Sequence, residues 1–129
     1  MKIQFDVLGK PRGKQRPRMT KFGTVYTPKE TRQYEKLIQE SFKKIKPSGW
    51  EPINEAVSVT IEAYFVKAKS NKDLHCTIKP DIDNILKVVL DSIQGNGQVI
   101  ADDKTVVDVI TRKFWGQVDK ISIEVETVK

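Results

Sequence analysis

Two spacings of apolar residues run along this chain and separate its strands from its helices. Ile3, Phe5 and Val7 alternate with Lys2, Gln4 and Asp6, the period-two signature of a half-buried strand. Val57, Val59, Ile61, Ala63 and Phe65 repeat it over residues 56–66, which predicts a longer strand. Thr24-Val25-Tyr26 predicts a short edge strand. Val106 to Phe114 and Ile121 to Val128 predict two more, joined as a closing hairpin around Trp115-Gly116-Gln117. Between these segments the spacing changes. Tyr34, Leu37, Ile38, Ser41, Phe42 and Ile45 follow the i, i+3, i+4 pattern of an amphipathic helix. Thr27 is its expected N-cap, Pro28 its first helical residue and Glu30 the partner in a capping box; Pro47-Ser48-Gly49 stops it. A second helix carries Ile85, Leu86, Val88, Val89, Leu90 and Ile93, with Asp83 or Asn84 as cap and an end near Gln94, before Gly95-Asn96-Gly97. Its polar stripe is Asp83, Lys87 and Asp91, spaced four apart and so on one face.

The order of elements predicts an α/β fold: a two-layer domain with one mixed β-sheet and two main helices, occupying residues 1–129 as a single unit. No apolar run approaches the roughly 20 residues that span a bilayer, so no membrane partner is expected. The first residues lack a signal-peptide core, and the single Cys76 cannot close an intramolecular disulfide. A cytoplasmic location is the expectation.

Charge then divides the chain. Its net +6 hides a balance of +9 in residues 1–50 (13 Lys/Arg, 4 Asp/Glu) and −3 in residues 51–129 (10 Lys/Arg, 13 Asp/Glu). The basic loop over residues 9–23 carries Lys10, Arg12, Lys14, Arg16 and Arg18 at every second position. Extended, that loop makes a comb of cations for DNA phosphates. Lys69, Lys72 and Lys79, in the 13-residue polar loop 67–79, add a second basic edge. Loops of that length in compact domains are often functional. The solvated alternative is a basic face with no partner.

The acidic residues are more telling. Asp81 and Asp83 flank Ile82 at the mouth of the second helix, Lys87 follows one turn inside it, and the doublet Asp102-Asp103 comes after the glycine break. Each has an ordinary structural explanation. An Asp cap contributes about 1 kcal/mol, an i,i+4 pair a few tenths, and a doublet can be a turn. Together, in a chain that is otherwise basic, they predict a carboxylate set for Mg²⁺ acting on a phosphate backbone, with Lys87 offsetting charge at the scissile phosphate or orienting water. His75-Cys76 in a polar loop is read as incidental, and Trp50 and Trp115 as packing residues.

Asp81-Ile82-Asp83-Asn84-Ile85-Leu86-Lys87, with Asp102-Asp103 downstream, resembles the signature of the RusA family of Holliday junction resolvases. Gly9 to Arg18 and Tyr26-Thr27-Pro28 are similar to the front of many prophage members. The resemblance spans nearly the whole chain. It implies a Mg²⁺-dependent homodimeric endonuclease that nicks four-way DNA junctions symmetrically, with Mn²⁺ as a possible substitute ion. By position it implies Asp81, Asp83 and Asp103 as metal ligands and Lys87 as the essential lysine, with Asp102 the alternative to Asp103. Two other readings stand beside it: a metal-dependent nuclease of flaps, forks or duplex, and a non-catalytic DNA-binding module.

Overall fold

Alternation becomes burial in the computed structural model, which describes residues 1–129. Strands β1 (Lys2–Leu8), β4 (Val57–Val66) and β6 (Lys120–Thr127) each bury every second side chain. Their inner faces present Ile3, Phe5 and Val7, then Val57, Val59, Ile61, Ala63 and Phe65, then Ile121, Ile123 and Val125. The outer faces carry charge, with cross-strand pairs Lys2–Glu124 (3.0 Å), Lys120–Asp6 (3.2 Å) and Arg112–Glu62 (3.7 Å). Both helices, α1 (Lys29–Ile45) and α2 (Ile82–Ile93), cover the inner face and contact each other. Tyr34, Ile38 and Phe42 enter the core from α1, and Ile85, Val88, Val89 and Ile93 from α2. Burial of side chains of this size contributes about 1.5–3 kcal/mol each. The result is the expected two-layer α/β arrangement.

The four-stranded sheet runs β1-β6-β4-β5, where β5 is Val106–Gly116. β6 is antiparallel to both β1 and β4, whereas β4 and β5 are parallel. This corrects the expected closing hairpin: β5 and β6 are consecutive, yet they lie on opposite sides of β4. Residues 117–119 cross the end of β4, and Asp119 fastens the crossing. Its Oδ1 accepts from Val66 N at 2.9 Å and its main-chain oxygen from Gly9 N at 3.0 Å. A parallel β4–β5 pair needs a long crossover, and that crossover contains α2.

β5 is thus an edge strand, and its eleven residues are largely exposed. Val107, Val109, Ile110 and Phe114 stay at the surface. A second, two-stranded ribbon, β2 (Arg18–Met19) with β3 (Val25–Tyr26), stands apart from this sheet. The expected capping box at α1 does not form: the helix begins at Lys29, Pro28 precedes it, and no side chain caps it.

Candidate active site

Asp81 and Asp83 stand at the mouth of α2, in a manner unlike ordinary capping. Asp81 is the residue before the first turn, extended at φ −70° and ψ 154°, and Asp83 lies within that turn. The helix begins ahead of the expected cap at Asp83 or Asn84, and no side chain caps it. Only the main-chain oxygen of Asp81 is used, accepting from Ile85 N at 3.1 Å. Both carboxylates are exposed and outside every ion pair of the chain. Two unengaged carboxylates at the positive end of a helix dipole are a donor pair suited to a hard cation.

Lys87 follows on the same stripe. Asp83 and Lys87 form no ion pair, against the ordinary structural explanation of their spacing, which leaves the ammonium free. Asp81, Asp83 and Lys87 line one cavity of about 660 Å³ whose other walls include Arg16 and Arg18. Cations and carboxylates therefore face one another across open space.

The acidic doublet separates into two roles. Asp102 Oδ1 accepts from Lys104 N at 3.0 Å and caps a 3₁₀ turn over Asp103–Thr105. That backbone hydrogen bond holds the Asp102 carboxyl below its ordinary value. Asp103 is gripped instead by Gln94: Gln94 Nε2 donates to Asp103 Oδ2 at 3.2 Å, and Asp103 N donates to Gln94 Oε1 at 3.1 Å. Gln94 is the residue that ends α2. Twelve helical residues rise about 18 Å. Asp103 therefore sits at the opposite end of the helix from Asp81 and Asp83, and the expected convergence of three aspartates within one chain does not occur. No group of three Asp, Glu, His or Cys side chains in the chain is arranged to hold a metal. The cause is local. Gly95 N bonds to Ile100 O and Ile100 N to Ile93 O, both at 3.0 Å, so the chain folds straight back at the helix end. Val99 and Ile100 are then pinned in the core beside Ile53.

The basic segment is stitched beside the acidic mouth. Gly13 packs so tightly that a Cβ there would lie 2.8 Å from Pro80 Cβ and 2.9 Å from Asn84 Cβ. Lys14 N donates to Asn84 O at 2.8 Å, and Gln15 N to the buried Thr31 Oγ1 at 3.2 Å. Lys14 itself departs from the expected comb. Its side chain is 17% exposed, with Nζ 3.2 Å from Glu35 and 3.1 Å from Asp91. Burial lowers its pKa, but the hydrogen bonds to Asp91 and Glu35 outweigh burial and raise it. Lys14 is a clamp between α1 and α2 and at the same time lines the cavity of Asp81, Asp83 and Lys87.

Lys10, Arg12 and Lys79 line a second cavity, of about 440 Å³, which shares Asp81 and Asn84 with the first. Lys69 and Lys72 are exposed and line neither; Lys72 Nζ donates to Lys69 O at 3.3 Å. Loop 67–79 is tied to β5, since Lys113 Nζ donates to Ile78 O and Trp115 Nε1 donates to Asp73 O at 3.2 Å. His75 is exposed while Cys76 is buried, so they make no nucleophile pair. Trp50 packs edge-on against Phe42 in the core. Sequence reasoning missed Gly13, Asn84 and Gln94 as positioning residues. Gly13 carried a signal, a glycine inside a cationic run; Gln94 carried none.

An open acidic helix mouth set in a wall of arginine and lysine marks a class of protein that handles a polyanion and a cation together. Residues 9–126 match the family described as Endodeoxyribonuclease RusA, and the chain belongs to that family. Over 141 aligned residues it is 27% identical to the uncharacterised protein YqaN of Bacillus subtilis (strain 168), spanning 98% of this chain and 96% of that one. Membership makes the chain a nuclease, with DNA as its partner. No helix is long and apolar enough to cross a membrane.

Proposed function

We propose that the chain is a Mg²⁺-dependent resolvase of four-way (Holliday) DNA junctions, acting as a homodimer that makes two symmetric nicks. The observation that carries this reading is the separation of Asp103 from Asp81 and Asp83 along α2. Two carboxylates alone are two of the three in the expected set, and a second copy is the economical source of the third. The exposed edge of β5 supports a route. Antiparallel pairing of two β5 strands about a two-fold axis would lay the start of one strand beside the far end of the other. Asp103 lies three residues before β5, and the far end of β5 is where Lys113 holds Ile78, three residues before Asp81. A two-fold dimer also matches the symmetry of a junction needing paired cuts.

In this reading Asp81, Asp83 and Asp103 of the partner subunit hold Mg²⁺, or Mn²⁺ in its place, which supplies charge neutralisation and an activated water at the phosphate. Lys87 faces the same cavity and donates to the phosphate oxygens on which charge builds. Gln94 keeps Asp103 oriented. Lys10, Arg12, Arg16, Arg18 and Lys79 hold the flanking phosphates and fix register without reading bases, and Lys69 and Lys72 extend that surface. Water attack on phosphorus leaves a 5′-phosphate and a 3′-hydroxyl. A non-catalytic binding module is disfavoured because its acidic residues should be caps, and neither Asp81 nor Asp83 caps.

Mixed dimers test the reading. Chains carrying Asp81→Asn and Asp83→Asn are combined with chains carrying Asp103→Asn, and a synthetic junction is supplied with Mg²⁺. Each variant alone is inactive. The mixture regains single nicks, because one of its two sites has all three carboxylates. A mixture as inactive as its parents defeats the shared site. Equal cutting of linear duplex, flaps or forks by the wild type defeats junction selectivity.

A further inference from the structure

The ribbon β2–β3 starts at the site just described, through Arg18, but its tip projects beyond it and is closed by several hydrogen bonds. Gly23 N donates to Thr20 O at 3.0 Å and Thr20 N to Thr24 O at 2.8 Å. Thr20 Oγ1 accepts from Phe22 N at 3.3 Å and Thr24 N at 3.1 Å. Gly23 adopts φ +85°, which closes a three-residue hairpin loop that a side chain would strain. At the crest of this fixed turn Phe22 is 85% exposed. Met19, Val25 and Tyr26 are exposed along the same ribbon. Lys21 Nζ lies 5.3 Å from the Phe22 ring centre, so a cation accompanies the aromatic face.

We propose that Phe22 stacks on a nucleobase laid open at the branch point of the junction, and that this contact distinguishes a junction from a linear duplex; the proposal rests on the junction reading above. Phosphate contacts cannot make that distinction, since every duplex presents the same backbone. An aromatic face can. Inside a continuous duplex both faces of each base are already stacked, whereas a branch point exposes the faces of its terminal pairs. Base–aromatic stacking tolerates any base, as a structure-selective contact requires. Lys21 beside the ring, and Arg18 at the base of the ribbon, supply partners for the adjoining phosphates. The reach is suitable. Arg18 lines the cavity of Asp81, Asp83 and Lys87. Four extended residues carry the chain at most about 13 Å from Arg18 to Phe22. That is about four base steps of 3.4 Å each, so the stacked base lies close to the cut.

The test compares wild type with Phe22→Ala, Phe22→Leu and Phe22→Tyr, all at a surface position that does not support the core. Binding to a four-way junction and to linear duplex of the same sequence is measured without divalent ions, with 2-aminopurine at successive positions around the branch. Wild type and Phe22→Tyr prefer the junction and change the emission of a branch-flanking probe. Phe22→Ala and Phe22→Leu bind duplex as wild type does, lose about tenfold or more of the junction preference, and leave the probe unchanged. Wild-type behaviour from Phe22→Ala overturns the proposal, and so does wild-type behaviour from Phe22→Leu, which would reduce the ring to apolar bulk. A wild type that prefers junctions but nicks none with Mg²⁺ ends the Mg²⁺-dependent resolvase reading alone. A wild type with no junction preference ends this one.

Discussion

An aspartate that begins a helix without capping it has given up about 1 kcal/mol of available stability. Asp81 does so, and Asp83 beside it forgoes the ion pair with Lys87. Asp81→Asn should therefore leave the fold at least as stable as wild type, by urea unfolding, while junction nicking falls by about a hundredfold or more, the upper loss expected even for supporting residues of a metal site. The doublet should behave asymmetrically. Asp103→Asn should abolish nicking, whereas Asp102→Ala should reduce nicking only a few-fold and weaken the 3₁₀ turn. Because the Asp102 carboxyl is held below its ordinary value, its contribution is present above the unfolded value of 3.8 and is lost as pH falls through the lower folded value. Lys14 has the opposite sign. Its pKa is raised, so the clamp is intact below the unfolded value of 10.5 and is lost as pH climbs through the higher folded value. Lys14→Met should cost up to about 1 kcal/mol at pH 7, with the gap from wild type closing in strongly alkaline buffer; urea midpoints across that range check it.

Among the elements, the ones that alternate or repeat at helical spacing are legible in the order of residues alone. Ile3-Phe5-Val7, Val57 to Phe65 and Tyr34-Ile38-Phe42 are core residues for the reason their spacing suggests. Pairing is not legible. The runs ending at Phe114 and beginning at Ile121 look like a hairpin because only a short turn separates them, and nothing in either run says that β4 lies between them. The grip of Asp119 on Val66 and Gly9 is visible only once folded. In the same way the sequence places Asp81, Asp83 and Lys87 together but cannot show that Asp103 is held at the far end of α2, since that depends on a side-chain clamp from Gln94. Gly13 is the joint between the basic segment and α2. Gly13→Ala must push Pro80 or Asn84 aside. It should lower DNA affinity and nicking together by about tenfold, an effect of displacing the neighbouring cations, measurable by titration and cleavage on one junction while circular dichroism stays native.

For the whole molecule, charge sets the affinity. Each phosphate neutralised lowers the slope of log affinity against log salt by about 0.9, so Arg16→Ala should flatten that slope by about one per protomer in a salt titration. Association should depend on the bare edge of β5. An unpaired strand edge with exposed apolar residues invites pairing, and a lysine on such an edge prevents it. Ile110→Lys should give a monomer by analytical ultracentrifugation that still binds DNA but does not cut it. The roughly 18 Å that α2 places between the carboxylates then has a kinetic consequence. If the carboxylate set is shared between two subunits as proposed, a lone chain should not cut, and nicking should rise with the square of chain concentration while dimers are scarce.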